Sequence, residues 1–232
     1  MLMSVSRTVI GYTTGSAPPS PSETATISKS ERYAQDMEAY LVSLIGFAMA
    51  IEAWRNGHAQ PYREEDTVAL DSRLFPARWV WRPHPTLSAL TANLSAGPLD
   101  LHRHPLTTPT PTEPLKLGSV GGLLHTMGQA LGTNYFERYV GIIKSHCGDD
   151  PCGWPSVWNF ARVVRNAMAH GGRIHFTSPN AKTVAWRGLS YGPSENDRHI
   201  LHVDLWPGDL FDLLIEMDAE LSLVTGNGPV SE

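Results

Sequence analysis

Cysteine, charge and long apolar runs are all scarce in this chain of 232 residues. Its two cysteines, Cys147 and Cys152, are too few to stabilise a fold of this size through disulfide bonds. We expect both to be ordinary free thiols, and the alternatives are a local disulfide or half of a metal site. The longest apolar stretch, residues 41–54, falls short of the roughly 20 residues that cross a bilayer. With 18% charged and 41% hydrophobic residues, a coiled coil and a wholly disordered chain are excluded.

Targeting signals and a basic excess are also missing. The N-terminus has no charged segment followed by a solid apolar block, so we expect a cytoplasmic protein without a membrane anchor. The formal charge of −5 argues against a protein that coats nucleic acid electrostatically. The stretch 159–176, however, holds three arginines and no carboxylate. A local basic site on an acidic protein is therefore allowed.

Proline clusters predict how the chain is organised. The 18 prolines concentrate near residues 18–21 and again between residues 76 and 114. They indicate a flexible N-terminal tail over 1–27, a helical part over 28–75 and a proline-rich surface excursion over 76–114, which could hold one short helix near 87–94. A helical region over 115–225 and a short tail over 226–232 follow.

Apolar residues recur at helical spacing in four places. A first stripe starts at a capping-box pair, Ser28 and Glu31, and ends near Gly57. The interval 120–147 predicts two shorter helices, or one helix broken near Gly132. A third helix begins at Pro155, ends at Gly171-Gly172 and has an apolar stripe of Val157, Phe160, Ala161, Val164 and Met168. The fourth begins at Pro207.

Between the last two helices the apolar period shortens. Segments 173–176, 183–191 and 199–205 predict short strands, so residues 173–205 form a strand-like insertion. The sequence therefore predicts a mainly α fold, a helical bundle with a small β-meander inserted before the last helix.

The third helix also carries a polar face. Arg162, Asn166 and His170 are spaced four apart and line one side, opposite the apolar stripe. Arg165 lies at the edge of that face, about 140° from His170 at 100° per residue. One straight helix would not bring Arg165 and His170 into contact, so a site that uses both is easier to build where two such helices meet.

Arg165-Asn166 followed by His170-Gly171 resembles the R-x4-6-H motif of the HEPN superfamily. HEPN domains are small helical bundles that usually dimerise, and many are metal-independent endoribonucleases that act as toxins, phage-defence effectors or RNA-processing enzymes. The resemblance implies a homodimer with RNA as substrate, no cofactor, and Arg165, Asn166 and His170 as catalytic residues. The proline-rich part and the strand-like insertion depart from the simplest family pattern.

The chemistry fits these side chains. Cutting RNA without metal requires a ribose 2′-OH to attack the adjacent phosphate, so DNA would not be cut. Arg165 offers a planar fork for phosphate oxygens, and Asn166 can hydrogen-bond the phosphate or fix the histidine. His170 can move protons near neutral pH, and the helix C-terminus favours its protonated form. Arg162 and Arg173 are candidate phosphate-binding residues.

Two other functions stay open. The same fold could bind nucleotides or dimerise without catalysis, with a partner such as a nucleotidyltransferase-like antitoxin. A helical interaction protein could instead bind a basic partner through its acidic last helix.

Other candidate sites are weaker. His102 and His104 resemble a minimal metal pair but are expected to be solvated loop histidines, and His199 and His202 are placed on opposite faces of a strand. No metal is expected. Core or interface packing is expected for the four tryptophans of the C-terminal half, Trp154, Trp158, Trp186 and Trp206.

Overall fold

A computed structural model describes residues 7–10, 23–34, 37–38, 40–46, 63–92, 97–107, 113–114 and 120–226. The chain divides into two compact units, Met1–Thr112 and Glu113–Glu232. Within the described ranges, no helix combines the length and the apolar character needed to cross a membrane.

The first unit contains a five-stranded sheet. Its strands are β1 (Arg7–Ile10), β2 (Glu23–Ile27), β3 (Thr67–Ser72), β4 (Ala77–Trp81) and β5 (Leu99–Pro105). They lie in the order β1-β3-β4-β5-β2, with β1 parallel to β3 and the other neighbours antiparallel. Helix α1 (His84–Thr91) connects β4 to β5, and residues 40–46 are also helical.

The central hairpin of this sheet is buried along nearly its whole length. All five residues of β4 and five of the six in β3 are buried. Their sequences, TVALDS and ARWVW, are rich in residues that pack well on a pleated surface. Asp71 and Arg78 are directly opposite each other, and Nε of Arg78 donates to Oδ1 of Asp71 at 2.6 Å. The two buried charges therefore neutralise each other across the strands.

The prediction of a mainly α fold is wrong, because this sheet makes the protein a mixture of helix and strand. Strands β1 and β2 lie in the predicted tail, β3 in the predicted helical part, and β4 and β5 in the predicted excursion. Strands β3 and β4 are buried on both faces, so they do not show the polar-apolar alternation by which half-buried strands are recognised. Among the described prolines of the predicted excursion, Pro76 lies in the turn before β4 and Pro105 ends β5, so neither interrupts a strand.

The predicted first helix is described only in part. Tyr33, Met37, Tyr40 and Leu44 are all buried, as its apolar stripe requires, while Phe47 and Ile51 lie outside the described residues. Helical residues begin at Ala34 rather than at Ser28.

The second unit is built from three helices, α2 (Val120–Cys147), α3 (Ser156–Ala169) and α4 (Pro207–Thr225). Helix α2 is continuous, so the predicted break near Gly132 does not exist. Gly132 has a packing role instead. A Cβ added there would lie 3.1 Å from the sulfur of Met168, so glycine leaves room for the methionine on α3.

The predicted core face of α3 is confirmed. Val157, Phe160, Ala161, Val164 and Met168 are all buried. The indole Nε1 of Trp158 donates to the carbonyl of Met217 on α4 at 2.9 Å, and several of the apolar side chains of α3 and α4 lie against each other. As expected, all four tryptophans of this half are buried.

The insertion between α3 and α4 contains less strand than predicted. Only the middle segment is regular, as a hairpin of β6 (Val184–Trp186) and β7 (Leu189–Tyr191). Arg187 and Gly188 form its turn with φ of 45° and 84°, the left-handed conformations of a tight hairpin. The outer two segments form only the isolated bridges Arg173–His199 and Leu201–Leu205.

Candidate functional site

A cleft of about 440 Å³ runs along the polar face of α3. Arg162, Asn166 and His170 line it from the helix, at the four-residue spacing that places them on one side. His175 and Lys182, from the chain after the helix, line it as well. The described lining residues include no carboxylate. The cleft is therefore a cationic surface on a protein of net negative charge.

Arg162 is anchored within the cleft by its neighbour one turn earlier. Both Nε and Nη2 of Arg162 donate to Oδ1 of Asn159, at 3.1 and 3.0 Å. Burial lowers the pKa of the Arg162 guanidinium from its usual value, and the nearby Cys152 thiol opposes that shift. An arginine remains charged at neutral pH. The other N–H groups of Arg162 therefore belong to a charged side chain that is held in one orientation and partly removed from water.

The end of α3 turns the chain back toward the cleft. His170 is the C-terminal cap, and its backbone N–H donates to the carbonyls of Asn166 and Ala167. Gly171 and Gly172 follow with φ of 65° and 82°, and the N–H of Gly172 reaches the carbonyl of Ala167 at 2.7 Å. Glycine adopts this left-handed backbone without strain. As a result, the His175 ring lies beside His170, with centroids 4.4 Å apart.

The segment after the glycines is extended, and its side chains alternate. Ile174 and Phe176 are buried, while Arg173 and His175 are exposed. The N–H of Ile174 donates to the carbonyl of Arg198 at 3.0 Å. The side chain of Asn196 both accepts from the N–H of Phe176, at 2.7 Å, and donates to its carbonyl, at 3.1 Å. His175 is therefore held on both sides by the later part of the insertion.

Arg165 does not line this cleft. It borders the apolar contact between α3 and α4 together with Val164 and Met168. Its Nη2 is 2.5 Å from a carboxylate oxygen of Glu137 on α2, and its Nη1 donates to Oδ1 of Asn166 at 3.2 Å. Of the three predicted catalytic residues, the structure thus places Asn166 and His170 in the cleft and links Arg165 to it through Asn166.

Arg173 also lies outside the cleft lining. Its Nη1 donates to the carbonyl of Asp197 at 2.7 Å. This hydrogen bond holds the insertion in place and occupies a donor that could otherwise contact a ligand. Arg173 lies beside His199, which forms a group of three histidines with His125 and His202. Burial lowers the pKa of His199, and Arg173 and His125 lower it further. Burial, with His125 and His199, lowers the pKa of His202 to about 4.

Among the described residues, no three or more His, Cys, Asp or Glu side chains are arranged to hold a metal ion. His102 and His104 lie on β5 and not in a loop, with ring centroids 6.3 Å apart, and His104 is buried. The expectation of solvated loop histidines is wrong, because the segment pairs with β2 and β4. Cys147 and Cys152 are free thiols, as expected.

No protein-family model matches this chain, and no curated protein or solved structure matches it. The resemblance to HEPN domains therefore stays a prediction that rests on the motif residues. The same holds for the predicted homodimer and for an antitoxin partner.

Sequence reasoning missed His175 and Lys182 as members of the cleft. A signal for His175 was present, since two glycines at a helix end reverse the chain and the following residues alternate polar and apolar. No comparable signal exists for Lys182, which reaches the cleft from the far side of a polar turn.

Proposed function

We propose that this protein binds RNA in the cleft along α3 and cuts it without a metal ion, by attack of a ribose 2′-OH on the adjacent phosphate. The observation that carries the proposal is the composition of the cleft. Arginine, lysine, asparagine and two histidines converge there, and the described lining residues include no carboxylate. Such a set favours an anionic ligand and supplies proton-transfer groups at the same place.

The residues take different roles in this proposal. Arg162, oriented by Asn159 and partly desolvated, binds phosphate oxygens and stabilises the extra negative charge of the transition state. Asn166 donates its amide N–H to the phosphate. Its carbonyl oxygen accepts from Arg165, and that bond fixes which end of the amide faces the cleft. His170 exchanges protons with the reacting oxygens.

Arg165 therefore acts as a positioning residue. Its guanidinium is held by Glu137 and by Asn166, so the fork does not lie free toward the cleft. The sequence motif had suggested direct contact with the phosphate. Because Arg165 touches Asn166, its removal is expected to disturb the site without deleting a phosphate ligand.

Binding without catalysis is the second candidate function, and the same pairing of Arg165 with Glu137 favours it. If the motif arginine is structural, the cleft could hold a nucleotide without cutting a bond. The two functions share a ligand class and differ in whether a phosphodiester is broken.

RNA cleavage in the presence of EDTA separates them. The wild type is expected to cut single-stranded RNA, and His170→Ala to be slower by about 10²–10⁴-fold, the usual effect of an acid–base group. His146→Ala is the matched control, because His146 is an exposed histidine at the end of α2 whose ring contacts Ile142 and Ser145. Oligonucleotide binding without cleavage by the wild type would favour the second candidate.

A further inference from the structure

We propose that His175 is the second proton-transfer residue of the cleft, acting as general base while His170 acts as general acid. This inference rests on the proposed function, since it assigns a role within the same reaction. It goes beyond the Arg-Asn-His motif, which does not include His175.

The two imidazoles lie side by side in the cleft. Their ring centroids are 4.4 Å apart and the planes are inclined by 35°. Both rings are exposed and line the same cleft as Arg162. One chain therefore supplies the arginine and both imidazoles to a single cleft.

The reaction needs two proton-transfer groups and no co-reactant. His175 removes the proton of the 2′-OH as the 2′-oxygen forms its bond to phosphorus. The bond from phosphorus to the 5′-oxygen breaks, and His170 delivers its proton to that oxygen. The products are a 2′,3′-cyclic phosphate and a 5′-hydroxyl, and the two histidines end with their protonation states exchanged. A single histidine could supply only one of these transfers at a time.

The position of each ring in the fold decides its role. His170 is the C-terminal cap of α3, where the aligned peptide dipoles interact favourably with a cationic group. His175 lies on the extended segment after the two glycines and does not belong to the helix. The assignment therefore makes His170 the acid and His175 the base.

Asn196 positions His175. Its amide holds the N–H and the carbonyl of Phe176, the residue after His175, in the manner of a neighbouring strand. Asp cannot replace it fully, because a carboxylate accepts from the N–H of Phe176 but cannot donate to the carbonyl. Asn196→Asp is thus a nearly isosteric variant that loosens the segment without touching either imidazole.

The experiment uses the full chain, EDTA and two RNA substrates. One carries the normal 5′-oxygen at the cleaved bond, and the other carries a bridging 5′-sulfur, which leaves without needing a proton. On the normal substrate, His170→Ala and His175→Ala are each expected to lose at least about 10²-fold in rate. On the sulfur substrate, the rate of His170→Ala should recover toward that of the wild type, whereas His175→Ala should stay slow. Asn196→Asp should slow both substrates alike.

Two control measurements separate a loss of catalysis from a loss of folding or binding. Circular dichroism and binding of a non-cleavable 2′-deoxy oligonucleotide show that each variant is folded and still holds its ligand. Wild-type cleavage that is lost in His170→Ala but unchanged in His175→Ala would overturn this inference and leave the proposed function standing. Recovery of His175→Ala on the sulfur substrate would overturn the assignment of His175 as base. A wild type that cuts neither substrate would overturn the proposed function itself.

Discussion

Arg162 and Arg165 lie three residues apart on α3 and meet different surroundings. Arg162 is oriented by the amide of Asn159 and lines the cationic cleft. Arg165 is paired with Glu137 and lies beside the apolar contact with α4. At the residue scale, the motif arginine and the arginine that lines the cleft are therefore different side chains.

This difference predicts unequal effects of two matched substitutions. Arg162→Ala should weaken binding of a 2′-deoxy oligonucleotide by about 10-fold or more, the scale of one lost hydrogen bond to a charged group. Arg165→Ala should weaken it less, because only the position of Asn166 changes. Fluorescence anisotropy at fixed salt measures both. If Arg165→Ala lost more affinity than Arg162→Ala, the phosphate would be bound by the motif arginine and this account would be contradicted.

The histidine group beside Arg173 predicts how stability depends on pH. Burial and the neighbouring His125 and His199 hold the pKa of His202 at about 4, below its usual 6.5. The folded state therefore excludes a proton that the unfolded chain accepts. His202 contributes its full stability above about pH 6.5 and loses it as the pH falls toward 4.

Urea unfolding at several pH values between about 4 and 7 checks this expectation. The free energy of unfolding should fall on acidification in the wild type, and the fall should be shallower in His202→Gln. His146→Gln, an exposed histidine on α2, is the control and should follow the wild type. An equal slope in His202→Gln and the wild type would show that this histidine does not carry the effect.

At the scale of elements, the apolar face of α3 holds the second unit together. Phe160 is fully buried, and its ring lies 5.4 Å from the centroids of both Trp186 and Tyr191. Phe160→Ala should lower the free energy of unfolding by about 3–5 kcal/mol, the usual effect of emptying such a site. Leu223→Ala on α4, where the side chain is 67% exposed, should change it little. Chemical denaturation compares them, and a loss below about 1 kcal/mol in Phe160→Ala would contradict the packing.

The turn after α3 offers a second matched pair of substitutions. Both glycines have a positive φ, but only Gly172 lacks space, since an added Cβ would lie 2.8 Å from Nε2 of His199. Gly171→Ala meets nothing within 4 Å and should cost only the left-handed backbone penalty, about 1–2 kcal/mol. Gly172→Ala should be more destabilising and should also slow cleavage, because the turn positions His175. Equal free energies of unfolding for Gly171→Ala and Gly172→Ala would show that the His199 side chain moves aside without an energetic cost.

Local pattern predicts some elements of this fold well and others poorly. The ends and the buried face of α3 follow from Pro155, two glycines and a five-residue apolar stripe, all within one segment. The sheet was missed because β3 and β4 are buried on both faces and show no alternation. Helix α2 was divided wrongly at Gly132, because a glycine that makes room for Met168 cannot be distinguished from a breaker without the partner helix.

The candidate site likewise combines residues that a local pattern predicts with residues that only the folded chain brings together. The i, i+4 spacing of Arg162, Asn166 and His170 can be recognised within one segment of sequence. In the structure, all three side chains line one cleft. His175 and Lys182 join them through a chain reversal and a polar turn, which depend on how the insertion folds back. The pairing of Arg165 with Glu137 joins α3 to α2 and could not be read from either helix alone.

At the scale of the whole molecule, charge is distributed unevenly. The chain carries a net charge of −5, while the cleft within the second unit presents Arg162, Lys182 and two histidines. Asp150 lies near Lys182 but does not line the cleft, and hydrogen bonds from Cys152 lower its pKa. This arrangement favours an anionic ligand held in the cleft over one spread across the surface.

Cleavage of a single-stranded oligoribonucleotide in EDTA, with product ends identified by mass spectrometry, tests the central claim most directly. The account predicts metal-free cutting, 2′,3′-cyclic phosphate ends, and no cutting at a position carrying a 2′-deoxyribose. It also predicts that Arg162→Ala and His170→Ala each lower the rate by about 10²-fold or more. Cleavage that requires added Mg²⁺, cutting at the 2′-deoxy position, or a wild-type rate in His170→Ala would contradict it.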